Sequence, residues 1–211
     1  MTDNTFDFSG GAAALDLANT VGGTRAKPTE HLGSYAALLD WARQGGLLEP
    51  ADAARLARAA RARPADAERA LQRVIQLRES IFRVFAAAAD DREPDRADVE
   101  RLTGAYARIV AKARPLAGQG RWEWPPTDDL ERPVWPAAVS AVELLLSDRL
   151  QVLRACASDT CDWLFIDRSR NRSRRWCDMK DCGNREKSRR HYARARADVV
   201  SPPTSRGRSQ A

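Results

Sequence analysis

Four cysteines carry the most specific chemistry in this chain of 211 residues. Cys156, Cys161, Cys177 and Cys182 form two C-x4-C pairs separated by fifteen residues, and no other cysteine occurs. Two close pairs with a short segment between them suit a tetrahedral thiolate site. Each pair turns on a tight loop that points both sulfurs inward, and the intervening segment folds back to bring the pairs together. Four thiolates are soft ligands that favour zinc, and a closed shell of four leaves no open position for catalysis. One structural Zn2+ is therefore expected. Two disulfides, an iron–sulfur cluster or four reduced structural cysteines are the competing readings. The opening MTDNTFDF is acidic and has no apolar core of the kind a signal peptide carries. A cytoplasmic protein with reduced thiols is expected, which counts against disulfides.

Charge is distributed unevenly around these ligands. From residue 151 onward fifteen Arg or Lys face seven Asp or Glu, a net of +8, whereas residues 1–150 hold twenty against twenty-two, a net of −2. The overall +6 belongs to the last sixty or so residues. Arginine abundance alone says little, because the N-terminal part is arginine-rich too, but there the acids balance it. Zinc with four thiolates would contribute about −2 locally, so the metal does not cause the positive field. A small metal module with such an excess has the electrostatic footprint of a polyanion binder.

The elements that must position the cysteines follow from local pattern. Trp163-Leu164-Phe165-Ile166 reads as a short strand, Arg168 to Arg174 as a polar turn, and Arg175-Trp176 as the returning strand that delivers Cys177. Gly183 permits a tight turn and Asn184 is suited to cap a helix through about Ala197. Knuckle, hairpin, knuckle and helix make a treble-clef or ribbon-like finger. Arg185, Arg189, Tyr192 and Arg196 share one face of the helix, and Lys187, Arg190 and Arg194 form a second basic stripe. Arg168, Arg170, Arg172, Arg174 and Arg175 on the hairpin, with Arg185, Lys187, Arg189, Arg190 and Arg194 on the helix, are the candidate nucleic-acid contacts. Which stripe reads bases is left open.

These residues resemble a known family. Phe165-Ile166-Asp167-Arg168-Ser169, then Arg174-Arg175-Trp176-Cys177, then Cys182-Gly183-Asn184-Arg185 followed by Lys187, is similar to the CGNR-type zinc finger. That finger stands at the C-terminus of bacterial proteins described as stress-induced transcription regulators, where it follows a domain called ABATE. The N-terminus here, Phe6-x-Phe8-x-Gly10-Gly11 followed by Leu15-Asp16-Leu17-Ala18-Asn19-Thr20, resembles the start of ABATE. Together the two resemblances span about 190 residues. They imply a DNA-binding transcription regulator, with an N-terminal domain that senses a small molecule and a response to stress.

The remaining chain reads as a mainly helical domain with a small β element over residues 1–150, then the finger over 151–197 and a disordered basic tail over 198–211. Residues 5 to 11 alternate Phe6 and Phe8 with polar neighbours, which suggests a short strand ending in a Gly-Gly turn. Ala12 to Asn19 reads as a short helix and Thr20 to Glu30 as a loop. Helices follow over Ser34 to Gly45, from Pro50 to Ala62, and from about Ala65 to Ala89, the last two opened by Pro50 and Pro64. A fourth begins after Pro94 and ends before Pro115. Trp122 and Trp124 alternate as on a strand, with Leu130 to Trp135 as its partner, and a last helix runs from Pro136 to Leu146. The finger is expected to pack directly on this domain, since no linker intervenes.

Two polar features stand out in the helical part. Asp16, Asn19 and Thr20 lie among apolar residues, as a capping cluster or as the polar corner of a ligand pocket. Arg78 sits on the apolar stripe Leu71, Val74, Ile75, Ile81, Phe82, Phe85 and needs an anionic or carbonyl partner. An internal ion pair, with Asp16 as a candidate, is one reading; a pocket arginine that meets an acidic ligand is the other. Catalytic arrangements are missing: His31 and His191 are the two histidines, no cysteine is spare, and Gly10-Gly11 and Gly22-Gly23 lack the pattern of a phosphate loop. No enzymatic role is expected, and no apolar run is long enough for a bilayer. Structured RNA or the ribosome, and RNA polymerase, are the alternative partners, and the oligomeric state is left open.

Overall fold

The computed structural model describes residues 5–118, 121–190 and 192. By internal contacts the chain divides into two compact units, Met1–Cys177 and Asp178–Ala211. The first unit is mostly helical, with α1 (Ala13–Ala18), α2 (Tyr35–Gln44), α3 (Pro50–Ala62), α4 (Pro64–Ala89), α5 (Arg96–Val110) and α6 (Trp135–Leu145). Three small antiparallel hairpins accompany them: β1 (Val21–Thr24) with β2 (Lys27–Glu30), β3 (Arg114–Leu116) with β4 (Arg121–Glu123), and β5 (Leu153–Ala155) with β6 (Leu164–Ile166).

Local chemistry explains where the helices start. Ser34 accepts the Ala37 amide at 3.1 Å and Asp95 the Ala97 amide at 2.8 Å, satisfying donors that a first helical turn leaves free. Pro50 and Pro64 open α3 and α4, where the missing N–H would be unpaired anyway. The long helix α4 is the centre of the packing and touches α1, α2, α3 and α5. Its Ala67, Ala70, Leu71, Val74, Leu77, Ile81, Val84 and Phe85 recur at helical spacing and are buried. Each large side chain of this stripe contributes about 1.5–3 kcal/mol by leaving water. The same core takes in Leu15 and Leu17 of α1, Trp41 of α2, Val139 and Leu144 of α6, and Leu153, Leu164 and Ile166 of the β5–β6 hairpin. Among the described residues no helix is long and apolar enough to cross a membrane.

Several local expectations are corrected. Residues 5–11 form no strand; side chains hold their backbone, with Gln44 accepting the Phe6 amide and Asp16 the Gly10 amide. Phe6 enters the core and Phe8 stacks on Trp41, so their alternation reflects two packing sites and not a ladder. Residues 20–30, expected as a loop, form the β1–β2 hairpin. Its strands lack apolar alternation and β2 is exposed throughout, so the usual strand signal is absent. Gly23 at φ +75° permits the turn, and a side chain there would lie 2.7 Å from the Lys27 carbonyl oxygen. Trp122 pairs with Pro115 upstream instead of with residues 130–135, where Arg132–Val134 forms a 3-10 turn.

In the C-terminal segment the strand at 164–166 is present, but its partner is β5, before the first cysteine, and not Arg175-Trp176. Residues 167–177 contain no strand. A single backbone bond, Ala157 N to Arg175 O at 2.8 Å, is what remains of the expected return. In the second unit Asp178 caps a π-helical turn, Met179–Gly183, and accepts the Lys180 amide at 2.6 Å. Residues 184–190 continue as α-helix, so Asn184 is already helical and is not the cap. Its side chain donates back to the Lys180 carbonyl at 3.1 Å. Gly183 serves close packing and not a left-handed turn, since a side chain there would meet Met179 Sδ at 2.7 Å. The expected helix end near Ala197 and the tail at 198–211 lie outside the described residues.

Candidate metal centre and nucleic-acid interface

The hairpin β5–β6 brings the first cysteine pair to its place. Cys156 follows β5 and its amide donates to the Trp163 carbonyl at 2.8 Å; Cys161 donates to the Ser158 carbonyl at 3.1 Å, closing the knuckle. Cys177 arrives with its amide 3.5 Å from Cys156 Sγ. All four cysteines are buried, and their sulfurs lie within 4.8 Å of one another. Cys161 Sγ and Cys177 Sγ stand 3.7 Å apart. A tetrahedron with metal–sulfur bonds of about 2.3 Å has edges of about 3.8 Å, whereas a disulfide needs about 2.05 Å. The donor set and spacing therefore fit a soft four-coordinate cation.

Electrostatics agrees with the geometry. Hydrogen bonds from the Cys161 and Cys177 thiols push the Cys156 thiol well below its usual range. Sharing with Cys156 pushes Cys161 up to about 12 and Cys177 upward as well. One thiolate is stabilised by its neighbours and further ionisation is opposed by like charge, the situation that a dication reverses.

Asp167 organises the basic loop that follows β6, and the sequence reading did not single it out. Its carboxylate accepts the Ser169 amide at 2.8 Å and the Arg174 amide at 3.0 Å. Bonds from Ser169 outweigh its burial and hold it below the usual carboxylate range. A single acid inside a run of arginines was the available signal. On this loop Arg168, Arg170, Arg172 and Arg175 are exposed. Arg168 also donates to the Gly11 carbonyl at 2.9 Å, and Arg175 lies over Trp176. Arg170 and Arg172 have no ion-pair partner among the described residues. Arg174 is a different case. Half-buried, it stacks on Phe165 at 4.2 Å and donates to the carbonyls of Trp176, Cys177 and Ser9, so it braces the loop.

Within the second unit Arg185 pairs with Asp181 at 2.6 Å and Arg189 with Glu186 at 3.0 Å. Lys187 and Arg190 are exposed. Arg194 lies outside the described residues.

The four candidate pocket residues are engaged inside the first unit. Asn19 bonds reciprocally with the Leu164 backbone, donating to its carbonyl at 2.9 Å and accepting its amide at 3.0 Å. It thereby completes the outer edge of β6. Thr20 donates to Leu17 O, and Asp16 accepts the Gly10 amide. Burial raises the Asp16 carboxyl to about 6 against the opposing Gly10 bond. Arg78 finds Glu30, not Asp16: its two terminal nitrogens meet the Glu30 oxygens at 2.7 and 2.8 Å, and Nε meets Glu79 at 2.8 Å. Burial works to raise Glu30, but the bonds from Arg78 and the Leu32 amide prevail and hold its carboxyl low. The expected ion pair is present with a partner that only the β1–β2 hairpin could deliver. Further bonds seat the knuckle on that hairpin: Trp163 Nε1 to Val21 O at 2.7 Å and Asp162 N to Gly23 O at 3.1 Å.

Comparison with known families agrees with this arrangement. Residues 11–148 match the ABATE family, described as "Putative stress-induced transcription regulator", and residues 153–195 match the CGNR zinc finger. No curated protein matches the chain. A helical domain followed by a buried four-thiol cluster is thus the frame of a shared lineage, and the chain belongs to the ABATE family, with a CGNR zinc finger after its helical domain.

Proposed function

We propose that this protein is a cytoplasmic DNA-binding transcription regulator, with the finger as its nucleic-acid module and the helical domain as a sensor of a small molecule. The observation that carries the reading is a buried cluster of four thiols set in a segment of net charge +8. Cys156, Cys161, Cys177 and Cys182 would hold one structural Zn2+, which as a closed four-thiolate shell supplies folding energy and no reactive position. Arg168, Arg170, Arg172 and Arg175 on the loop, and Arg185, Lys187, Arg189, Arg190 and Arg194 in the second unit, are assigned to phosphates and bases. Arg174 supports the loop from inside. No catalytic role is assigned to any residue.

The test is binding of the metal-loaded protein to genomic fragments, its own promoter included, across a salt series, with metal content measured by mass spectrometry. A site that survives competitor DNA, with a log–log salt slope of about −0.9 per neutralised phosphate, supports a sequence-reading regulator. Weak binding that is blind to sequence and lost near physiological salt overturns it and points to RNA or a protein partner such as RNA polymerase.

A further inference from the structure

Arg132 has an environment that neither the four cysteines nor the contacts of β6 explain. The residue is only 9% exposed, and its guanidinium lies against two indoles, 5.0 Å from the Trp124 centroid and 5.6 Å from that of Trp135. No carboxylate or carbonyl of the described residues accepts a hydrogen bond from it, and Nη1 is buried without an acceptor. The contrast with Arg78, also buried but held by Glu30 and Glu79, is direct. Asp52 attracts Arg132 from a distance, but its carboxylate is bonded to Arg55. Indole faces offset part of the cost of burying a cation, yet an unpaired buried charge remains expensive.

Arg132 borders a cleft of about 480 Å³, a size suited to a small organic molecule. Leu47, Leu48 and Leu116 give the cleft an apolar lining, Trp122 and Trp124 an aromatic one, and Glu49 and Glu123 exposed acids, while Asp52 and Glu143, which also line it, are bonded to Arg55 and to the Trp122 indole. Neither Glu49 nor Glu123 has an ion-pair partner among the described residues. We propose that this cleft binds a small zwitterion with an apolar body, such as a free hydrophobic amino acid. Its carboxylate meets Arg132, its ammonium group meets Glu49, Glu123 and the indole faces, and its side chain covers the leucines. Multiply charged anions are disfavoured by the same acids, and simple cations by Arg132. The assignment deepens the sensing role proposed above and rests on it for its regulatory meaning; binding itself is measured without DNA.

The experiment is calorimetric titration of the full-length, metal-loaded protein at neutral pH with L-phenylalanine, L-leucine, phenylacetate and phenethylamine. Saturable binding of at least one of the two amino acids is expected. Phenylacetate and phenethylamine, which each lack one charge, should bind at least tenfold more weakly than L-phenylalanine. Arg132→Met should abolish amino-acid binding without lowering the melting temperature, since it removes an uncompensated buried charge. Should that variant fold poorly, Glu49→Gln with Glu123→Gln, both at exposed positions, carries the test by removing the preference for an amine. Absence of saturable binding by both amino acids, equal binding of either single-charge analogue, or unchanged binding in the variants overturns the proposal. Loss of DNA binding in the salt series with intact amino-acid binding would instead refute the regulator reading alone.

Discussion

Asn19→Ala is the most informative perturbation of the way β6 is seated in the first unit. Asn19 is 3% exposed and satisfies both backbone groups of Leu164, at 2.9 and 3.0 Å, while Leu164 is itself completely buried. Truncation leaves one buried N–H and one buried C=O without partners. Each such orphan costs about 1–3 kcal/mol, so the loss should be roughly 2–6 kcal/mol, a large share of the about 5–15 kcal/mol that holds a domain folded. In a chain of this size that corresponds to a fall in melting temperature of roughly 4–24 °C, at about 2–4 °C per kcal/mol. Urea unfolding followed by tryptophan fluorescence measures it directly. Asn19→Asp is the companion variant: it keeps the acceptor for the Leu164 amide but sets a second oxygen against the Leu164 carbonyl, and it should be no better than alanine. A loss below about 1 kcal/mol for both variants would refute the claim that this reciprocal bond seats β6.

Three further outcomes follow from named contacts. Cys177→Ser should release metal, read by a chromophoric chelator, and abolish protection of the finger from protease; full metal retention would refute the four-thiolate assignment. Asp16→Asn tests the raised carboxyl. The folded protein keeps this proton to about pH 6 while the unfolded chain releases it near 3.8, so its contribution to stability falls as pH rises from about 4 to 6 and is flat above. The amide, which still accepts the Gly10 bond, should remove that slope and leave the protein more stable at pH 7 by at most about 3 kcal/mol, and an unchanged pH profile would count against it. Arg78→Met should destabilise by about 2–4 kcal/mol, less than a fully buried pair, because Glu30 is 38% exposed and can be rehydrated; denaturant midpoints decide this, and a neutral result would refute the role of the Arg78–Glu30 link.

What the sequence determined by itself was whatever depends on neighbours within a few residues or on spacing alone. Ser34, Pro50 and Pro64 set three helix starts and the apolar period of α4 marked its buried face, because capping and amphipathicity are local. The C-x4-C pairs pointed to a metal site, because two close pairs in that spacing suit a tetrahedral thiolate shell. Tertiary structure decided the pairings. The β1–β2 hairpin carries no strand pattern, β6 joins Leu153–Ala155 across the first knuckle and not the return segment, and Trp122 turns upstream. Each strand here has three or four residues, too few for its own pattern to choose among neighbours, so packing and buried backbone satisfaction make the choice. The same holds for the buried charges. The stripe around Arg78 demanded an acid and could not say which, whereas Arg132 announced nothing until the fold set it against two indoles with no carboxylate bonded to it, because the partners of a buried charge come from wherever the fold brings the chain.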